Sequence, residues 1–123
     1  MTSSGSQTAW DPWTYGRGVD VSAGQRNVVG FDVEATDGSI GKIDEATYDV
    51  GSSFVVVDTG PWIFGSKVML PAGTINRMDH ADRKVYVSRS KDEIKNAPKF
   101  DKDRYRDPAY RDRLGEYYGR FRD

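Results

Sequence analysis

The chain has 123 residues, with 18 Lys and Arg against 19 Asp and Glu, one His and no Cys. This length is typical of a single domain. The absence of Cys excludes disulfides, thiolate zinc sites and cysteine nucleophiles, and a single His excludes a metal site built from several histidines. The near balance of charge argues against a general nucleic-acid-binding protein, which is usually clearly basic.

Hydropathy predicts a soluble protein. The uncharged apolar run from Phe54 to Val57 is far shorter than the roughly 20 residues that a membrane-spanning helix needs. Residues 1–7 contain neither a basic cluster nor an apolar segment, so no secretory signal is visible. We therefore expect a cytoplasmic location and no insertion into a membrane.

Composition divides the chain into three parts. Residues 1–26 are polar and rich in Gly and Ser, which predicts a flexible N-terminal arm. Residues 27–101 hold nearly all of the aliphatic side chains and are the predicted domain. Residues 102–123 form a charged C-terminal tail, rich in Tyr and Arg, that is predicted to be partly helical.

The predicted domain begins with a hairpin. Val29, Phe31 and Val33 alternate with polar or small residues, which predicts a half-buried strand. The dipeptide Asp37-Gly38 follows, and Asp-Gly between two apolar segments favours a type I′ turn, which needs φ > 0 at both central residues.

A second strand is predicted from Ile40 to about Asp49. Ile40 and Ile43 lie three residues apart, so the inward face of this strand must change between them. A β-bulge at Gly41 would make that change, because a glycine inside a strand often marks a bulge.

Four further strands are predicted, at Phe54–Val57, Val68–Pro71, Thr74–Asp79 and Lys84–Ser88. Six short strands at a spacing of roughly ten residues favour a small all-β barrel or sandwich. A short helix should follow, because Ser90 and Glu93 have the spacing of a capping box and Pro98 would end the helix.

Taken in order, these segments resemble the PRC-barrel family. The matching segments are Val28–Val33, Asp37–Ile43, Phe54–Asp58, Val68–Ala72, Val85–Ser88 and Lys91–Pro98. The resemblance covers roughly residues 27–101 and leaves out residues 1–26 and 102–123. It depends on the ordered series of segments, since no single segment is specific.

The resemblance implies a small, strongly bent antiparallel β-barrel of about six strands, with a short helix after the last strand. The family includes the cytoplasmic domain of the photosynthetic reaction-centre H subunit and the C-terminal domain of RimM-type ribosome maturation factors. The sequence shows neither the transmembrane helix of the first nor the N-terminal domain of the second, so neither specific function is expected to transfer. What the resemblance implies is a non-catalytic interaction or assembly module that self-associates.

The residues themselves predict no enzyme. His80 between Asp79 and Asp82 is the one cluster with metal or acid–base potential, and a hairpin turn explains it more simply. Four other carboxylates have the spacing of outward-facing strand positions: Asp44, Glu45, Asp49 and Asp58. Catalysis by paired acids needs them in a cleft that shifts their pKa values. We therefore predict no catalytic residues, no cofactor and no metal site.

Two aromatic groups outside the tail are candidates for interaction. Trp62, Ile63 and Phe64 lie where a hairpin loop is usually polar, so they either cover one mouth of the barrel or form an exposed apolar patch for a partner. The second group, in the N-terminal arm, is either a short recognition segment or an arm that packs on its own domain. Its members are Trp10, Trp13 and Tyr15.

The tail is a third candidate. Asp107 and Pro108 are a favourable N-cap and first helical residue, so a helix should begin there. One helix face contains Tyr110, Leu114, Tyr117, Tyr118 and Phe121, with Arg113 on another flank. Gly115 and Gly119 each destabilise a helix by about 1 kcal/mol relative to Ala. The helix must therefore dock on its own barrel, dock on another chain, or fray.

The leading hypothesis is a protein-binding PRC-barrel that forms a homodimer. Interleaved Tyr and Arg also suggest binding to nucleic acid, through base stacking and phosphate contacts. Against this, residues 99–123 carry eight Lys and Arg against six Asp and Glu, a net charge of only +2. The resemblance itself implies two alternatives: an RNA- or ribosome-associated accessory factor, by analogy with RimM-type factors, and a peripheral subunit on the cytoplasmic face of an electron-transport complex, by analogy with the H subunit.

Overall fold

Six strands and two helices are present in the computed structural model, which describes residues 11–16, 19, 27–48, 52–60, 67–101 and 103–119. The strands are β1 (Asp32–Ala35), β2 (Gly38–Ala46), β3 (Phe54–Asp58), β4 (Lys67–Pro71), β5 (Ile75–Asp79) and β6 (Lys84–Val87). The helices are α1 (Lys91–Lys95) and α2 (Pro108–Gly119), and a 3-10 turn, Ala72–Thr74, separates β4 from β5. The prediction of a β-dominated fold with two short helices is confirmed.

The strands form one mixed sheet in the order β4-β3-β2-β1-β6-β5. Strands β1 and β6 are parallel, with Asp32 opposite Lys84 and Val33 opposite Val85, while the other pairs are antiparallel. The expectation of a wholly antiparallel sheet is therefore wrong at this pair. No hairpin joins β1 to β6, so no turn fixes their relative direction. Strands β4 and β5 are the two edges, and among the described strands no pairing joins them, so the sheet is not closed.

The first hairpin is in the predicted place but differs in detail. Ala35 lies opposite Gly38, and only Gly38 of the predicted central pair has a positive φ, +146°, so the turn is not type I′. The prediction that Val29 faces inward is also wrong, because Val29 is 54% exposed whereas Val28 is fully buried. Gly30 explains the change, because its φ of +90° lies in a turn that interrupts the alternation before β1 begins.

The bulge predicted at Gly41 is confirmed. Val33 opposes Gly41 and Glu34 opposes Ser39, so Ile40 is the extra residue in β2. Both Ile40 and Ile43 are buried as a result. Gly41 has a φ of +152°, and a Cβ at this position would lie 2.1 Å from the carbonyl oxygen of Asp58 on β3. The bulge therefore requires glycine.

The remaining local predictions hold with small shifts in their bounds. The turn between β5 and β6 is stabilised by the Asp79 carboxylate, which accepts from the Asp82 N–H at 3.0 Å. The capping box is confirmed, because the Ser90 hydroxyl accepts from the Glu93 N–H at 3.1 Å and the Glu93 carboxylate accepts from the Ser90 N–H at 2.7 Å. Strand β2 ends at Ala46, and Asp49 lies outside the described residues.

One apolar core joins the sheet to both helices. The largest fully buried side chains come from the strands, from α1 and from α2; they include Val33, Ile43, Val55, Val57, Leu70, Val85, Ile94, Leu114 and Tyr118. Within the described ranges, neither helix has the length and apolar character needed to cross a bilayer. The sheet is thus covered by the chain's own C-terminal helix, which belongs to the same core.

Replacing Gly41 should destabilise the fold more than an ordinary glycine substitution. We expect Gly41→Ala to lower the free energy of unfolding by more than about 2 kcal/mol, because the new Cβ would overlap β3 in addition to straining the backbone. Gly60→Ala is the matched control, since Gly60 has a positive φ of +60° but open space around it. Its cost should be about 1 kcal/mol. Equal losses in urea unfolding would contradict this role for Gly41.

Candidate interaction surface

The N-terminal aromatic residues lie against the chain's own sheet. The carbonyl oxygen of Trp13 accepts from the Ser53 N–H at 2.9 Å, and that of Pro12 accepts from the Gly73 N–H at 2.8 Å. The Tyr15 hydroxyl donates to the Thr47 carbonyl oxygen at 2.7 Å. We call residues 11–16 the N-terminal segment. Its bonds reach the start of β3, the 3-10 turn and the end of β2, whereas Trp10 lies outside the described residues.

The N-terminal segment also contacts helix α2. The Arg111 guanidinium lies over the Trp13 ring, 4.5 Å from its centroid. A Cβ on Gly115 would lie 3.3 Å from both the Pro12 ring and the Trp13 indole nitrogen. The glycine that weakens the helix on its own therefore allows the N-terminal segment to approach it closely.

Helix α2 docks on its own domain. Tyr110, Leu114 and Tyr118 are buried in the core. Hydrogen bonds hold one flank, because the Tyr117 hydroxyl donates to the Glu93 carbonyl oxygen at 2.6 Å. The exposed Arg113 lies beside the Tyr110 ring, 6.0 Å from its centroid, and Phe121 lies outside the described residues. The sequence left three outcomes open for this helix, and the structure shows the one in which it docks on its own domain.

Arg89 anchors the end of α2, a role that the sequence interpretation missed. Its side chain is only 4% exposed and donates to the Tyr118 carbonyl oxygen at 3.0 Å. A cation at the C-terminus of a helix also interacts favourably with the helix dipole. The sequence did contain a signal for this role. Val85, Val87 and Arg89 occupy every second position, so Arg89 continues the inward face of β6 by one more residue.

The start of the tail packs on β2 and β3. The Arg106 guanidinium bonds to the Glu45 carboxylate at 2.6 Å, and the Tyr105 hydroxyl donates to the same carboxylate at 3.1 Å. The Tyr105 ring meets Phe54 edge-on, with 6.0 Å between centroids, and Phe100 at 5.0 Å. Part of the Tyr and Arg content that suggested nucleic acid is thus engaged inside the chain.

Among the residues considered for catalysis, Asp79 stabilises the turn between β5 and β6, and Asp44 and Glu45 each form an ion pair. Another ion pair joins β1 to β2: the Lys42 ammonium donates to Asp32 at 2.8 Å and holds the pKa of that carboxyl below its usual value. The His80 ring packs edge-on against Phe31, with 5.7 Å between centroids. Within the ranges that the structure describes, no three side chains of metal-binding type come together.

A small, partly enclosed groove lies along edge strand β4, between that strand and residues 94–100. Its cavity volume is about 30 Å³. Seven apolar or aromatic residues contribute to its lining: Val68, Met69, Ile94, Ala97, Pro98, Phe100 and Tyr118. Three lysines contribute as well: Lys67, Lys95 and Lys99. We call this the β4 groove.

The three lysines of the β4 groove differ in their partners. The Lys67 ammonium pairs with the Asp44 carboxylate at 2.6 Å, and this hydrogen bond raises the pKa of Lys67. Lys95 and Lys99 are exposed, and neither forms an ion pair with another described residue. The groove thus combines apolar lining with two cations that are available to an anionic partner.

Tyr118 connects the β4 groove to the core. Its side chain is fully buried, and its hydroxyl has no hydrogen-bond partner within the described part of the chain. Burial raises the pKa of this hydroxyl far above its ordinary value. Tyr118 was predicted as an interaction residue on the helix face, and the structure places it in the core with part of its surface lining the groove.

The apolar triplet Trp62, Ile63 and Phe64 lies outside the described residues. The sequence interpretation did not find the β4 groove itself, since its lining comes from three segments that are far apart in the chain.

Comparison with known proteins adds no relative. No protein-family model matches this chain, and no curated protein matches it either. The resemblance to PRC-barrels therefore stays a prediction from the ordered sequence segments described above.

Stability should fall at high pH because two buried tyrosines resist ionisation. Burial raises the pKa of Tyr110 from 10.0 to about 12, and the pKa of Tyr118 is raised as well. Above pH 10 the unfolded state releases these protons while the folded state keeps them. We therefore expect the contribution of these two tyrosines to the free energy of unfolding to be complete below pH 10. It should be lost progressively between pH 10 and 12.

Urea midpoints measured across this pH range test the expectation. Tyr110→Phe is the control, because it removes one of the two groups while keeping the ring. This variant should lose less stability between pH 10 and 12 than the unchanged chain. An identical slope for both proteins would show that Tyr110 does not contribute.

Proposed function

We propose that this protein is a non-catalytic, PRC-barrel-type assembly module that binds a polypeptide partner in the β4 groove. The observation that carries the proposal is the pair of exposed cations, Lys95 and Lys99, beside a small apolar groove at the edge of the sheet. Apolar contact and complementary charge are what a protein-docking surface contributes, the first mainly to affinity and the second to specificity and association rate.

The placement of the other aromatic candidates supports this choice of surface. Trp13, Tyr15 and the buried face of α2 are engaged within the chain itself, so they contribute to its stability. A partner would have to displace them in order to use them. Lys95 and Lys99 beside the β4 groove are already exposed, so binding to them needs no such displacement.

The assignment to PRC-barrels is supported by the order of the elements. Six short strands followed by a short capped helix occur in the positions that the resemblance implies. In this proposal, the six-stranded sheet is the family's bent barrel left open between β4 and β5, which the 3-10 turn joins in sequence. Self-association is part of the proposal, with Trp62, Ile63 and Phe64 as the apolar triplet that a second copy would cover.

Charge reversal in the groove tests the proposed function. The test protein is the double variant Lys95→Glu/Lys99→Glu, both at exposed positions, and the matched control is Lys84→Glu on β6. Affinity purification from the source cells should recover a protein with the unchanged chain and the control but not with the double variant. Calorimetry with that protein in purified form should show binding at least about tenfold weaker for the double variant.

Two results would contradict the proposal. Equal binding of the purified partner by all three proteins would place the interaction away from the β4 groove. Recovery of RNA in place of protein, with binding that falls steeply as salt rises, would favour the accessory-factor hypothesis. Light scattering on the same proteins tests self-association, which a strict monomer at every concentration would remove from the proposal.

A further inference from the structure

The guanidinium group of Arg111 is held over an aromatic ring from another segment of the chain. Its central carbon lies 4.5 Å from the centroid of the Trp13 ring and 6.0 Å from that of Phe54. Trp13 is fixed in turn, because its carbonyl oxygen accepts from the Ser53 N–H at 2.9 Å and its N–H donates to the Asp11 carboxylate at 2.9 Å. These contacts restrict the rotamers that the Arg111 side chain can adopt.

No acidic group neutralises Arg111 within the described part of the chain. It forms no ion pair there, whereas Arg106, the other guanidinium beside Phe54, bonds to the Glu45 carboxylate at 2.6 Å. Asp107 lies four residues before Arg111 on α2, a spacing at which opposite charges on a helix can pair. Their side chains do not pair, and only the Asp107 carbonyl oxygen accepts from the Arg111 backbone N–H, at 3.1 Å.

The nitrogens of the Arg111 guanidinium differ in accessibility. Nε is buried and has no hydrogen-bond partner among the described residues, whereas the two terminal nitrogens are not buried. We call these two nitrogens the Arg111 fork. Polar groups that a protein buries are nearly always paired, so a half-buried cation without a partner is unusual. The fork is the part of Arg111 that an anion from solvent can reach.

We propose that the Arg111 fork is a docking point for the carboxylate of an acidic side chain on a polypeptide partner. The terminal nitrogens of a guanidinium can donate two parallel hydrogen bonds to the two oxygens of a carboxylate. One free guanidinium also balances the single charge of a carboxylate. The phosphates of a nucleic acid need several free cations, and the neighbouring Arg106 is already paired with Glu45.

This docking point is separate from the β4 groove, since neither Arg111 nor Trp13 lines that groove. The proposal therefore goes beyond the proposed function and does not depend on it. Arg and Trp are enriched among the residues that contribute most to protein interfaces. Because Trp13 already restricts Arg111, less rotamer entropy is lost when a partner binds. The partner meets the outer edge of Arg111 and leaves the contacts of Trp13 in place.

The probe is the α-amide of N-acetylglutamate, and its control is the α-amide of N-acetylglutamine. The two molecules have the same shape, and only the first carries a negative charge. With the full chain at constant ionic strength, we expect the Glu probe to shift the nuclear magnetic resonance signals of the Arg111 Nε–H and the Trp13 indole N–H. The shift should saturate with a Kd on the order of 1–10 mM, as expected for so small a ligand. The Gln probe should give no saturable shift.

Two variants separate the Arg111 fork from simple charge attraction. Arg111→Lys keeps the charge but loses the fork, so it should bind the Glu probe about tenfold more weakly. The matched control is Arg113→Lys, at an exposed position of the same helix, which should bind like the unchanged chain. The Trp13 indole signal reports binding in all three proteins. An unchanged Ser53 amide signal in Arg111→Lys shows that the N-terminal segment still packs.

Four results would overturn the inference. Equal shifts with the Glu and Gln probes would do so on the unchanged chain alone, even if Arg111→Lys failed to fold. Equal affinity of Arg111→Lys and the unchanged chain would exclude a role for the fork. Tighter binding of inorganic phosphate than of the Glu probe would exclude the choice of a carboxylate. Loss of Glu-probe binding in Lys95→Glu/Lys99→Glu would place the carboxylate at the β4 groove, whereas full binding by that variant would support Arg111.

Discussion

The contact between the N-terminal segment and helix α2 joins two segments that are far apart in the chain and that both pack on the sheet. Trp13 lies under the Arg111 guanidinium and against the bare backbone of Gly115, while its carbonyl oxygen accepts from Ser53. Isolated helices of about 12 residues are marginal in water, and glycine weakens them further. Helix α2 therefore depends on tertiary contacts, with Leu114 in the core and the N-terminal segment on its flank. The sheet in turn depends on α2 to cover part of its apolar surface.

This arrangement changes how the aromatic residues of the termini are interpreted. Tyr and Trp are common at protein interfaces because they bury a large area and keep a polar group available. Here the same properties serve interfaces within the chain, as when Tyr15 bonds to Thr47 and Tyr117 bonds to Glu93. The surface that we propose for a partner is therefore the one beside the β4 groove, where Lys95 and Lys99 are exposed.

Local features of the fold could be predicted from the sequence because short-range physics decides them. The bulge at Gly41 follows from the spacing of two isoleucines, the capping box from Ser90 and Glu93, and the start of α2 from Pro108. Features that depend on distant parts of the chain could not be predicted in this way. The parallel pairing of β1 with β6 is not set by a hairpin, and the β4 groove needs β4, α1 and α2 together.

Two single-residue outcomes show the same division. Val29 fits the alternating pattern of a strand, but the turn at Gly30 moves it to the surface. Composition alone favoured a flexible arm around Trp13, because a polar segment holds too little apolar area to order itself. The area that orders Trp13 belongs to other segments, above all α2, and a segment-by-segment interpretation does not count it.

Native-state hydrogen exchange tests the central claim most directly, namely that the N-terminal segment, the sheet and α2 form one packed unit. The amides of Ser53 and Gly73 donate to the carbonyl oxygens of Trp13 and Pro12. They should exchange as slowly as the Leu114 amide in α2, and Trp13→Ala should accelerate all three together. Exchange of Ser53 and Gly73 at the rate of an unstructured peptide, with Leu114 still protected, would contradict the claim.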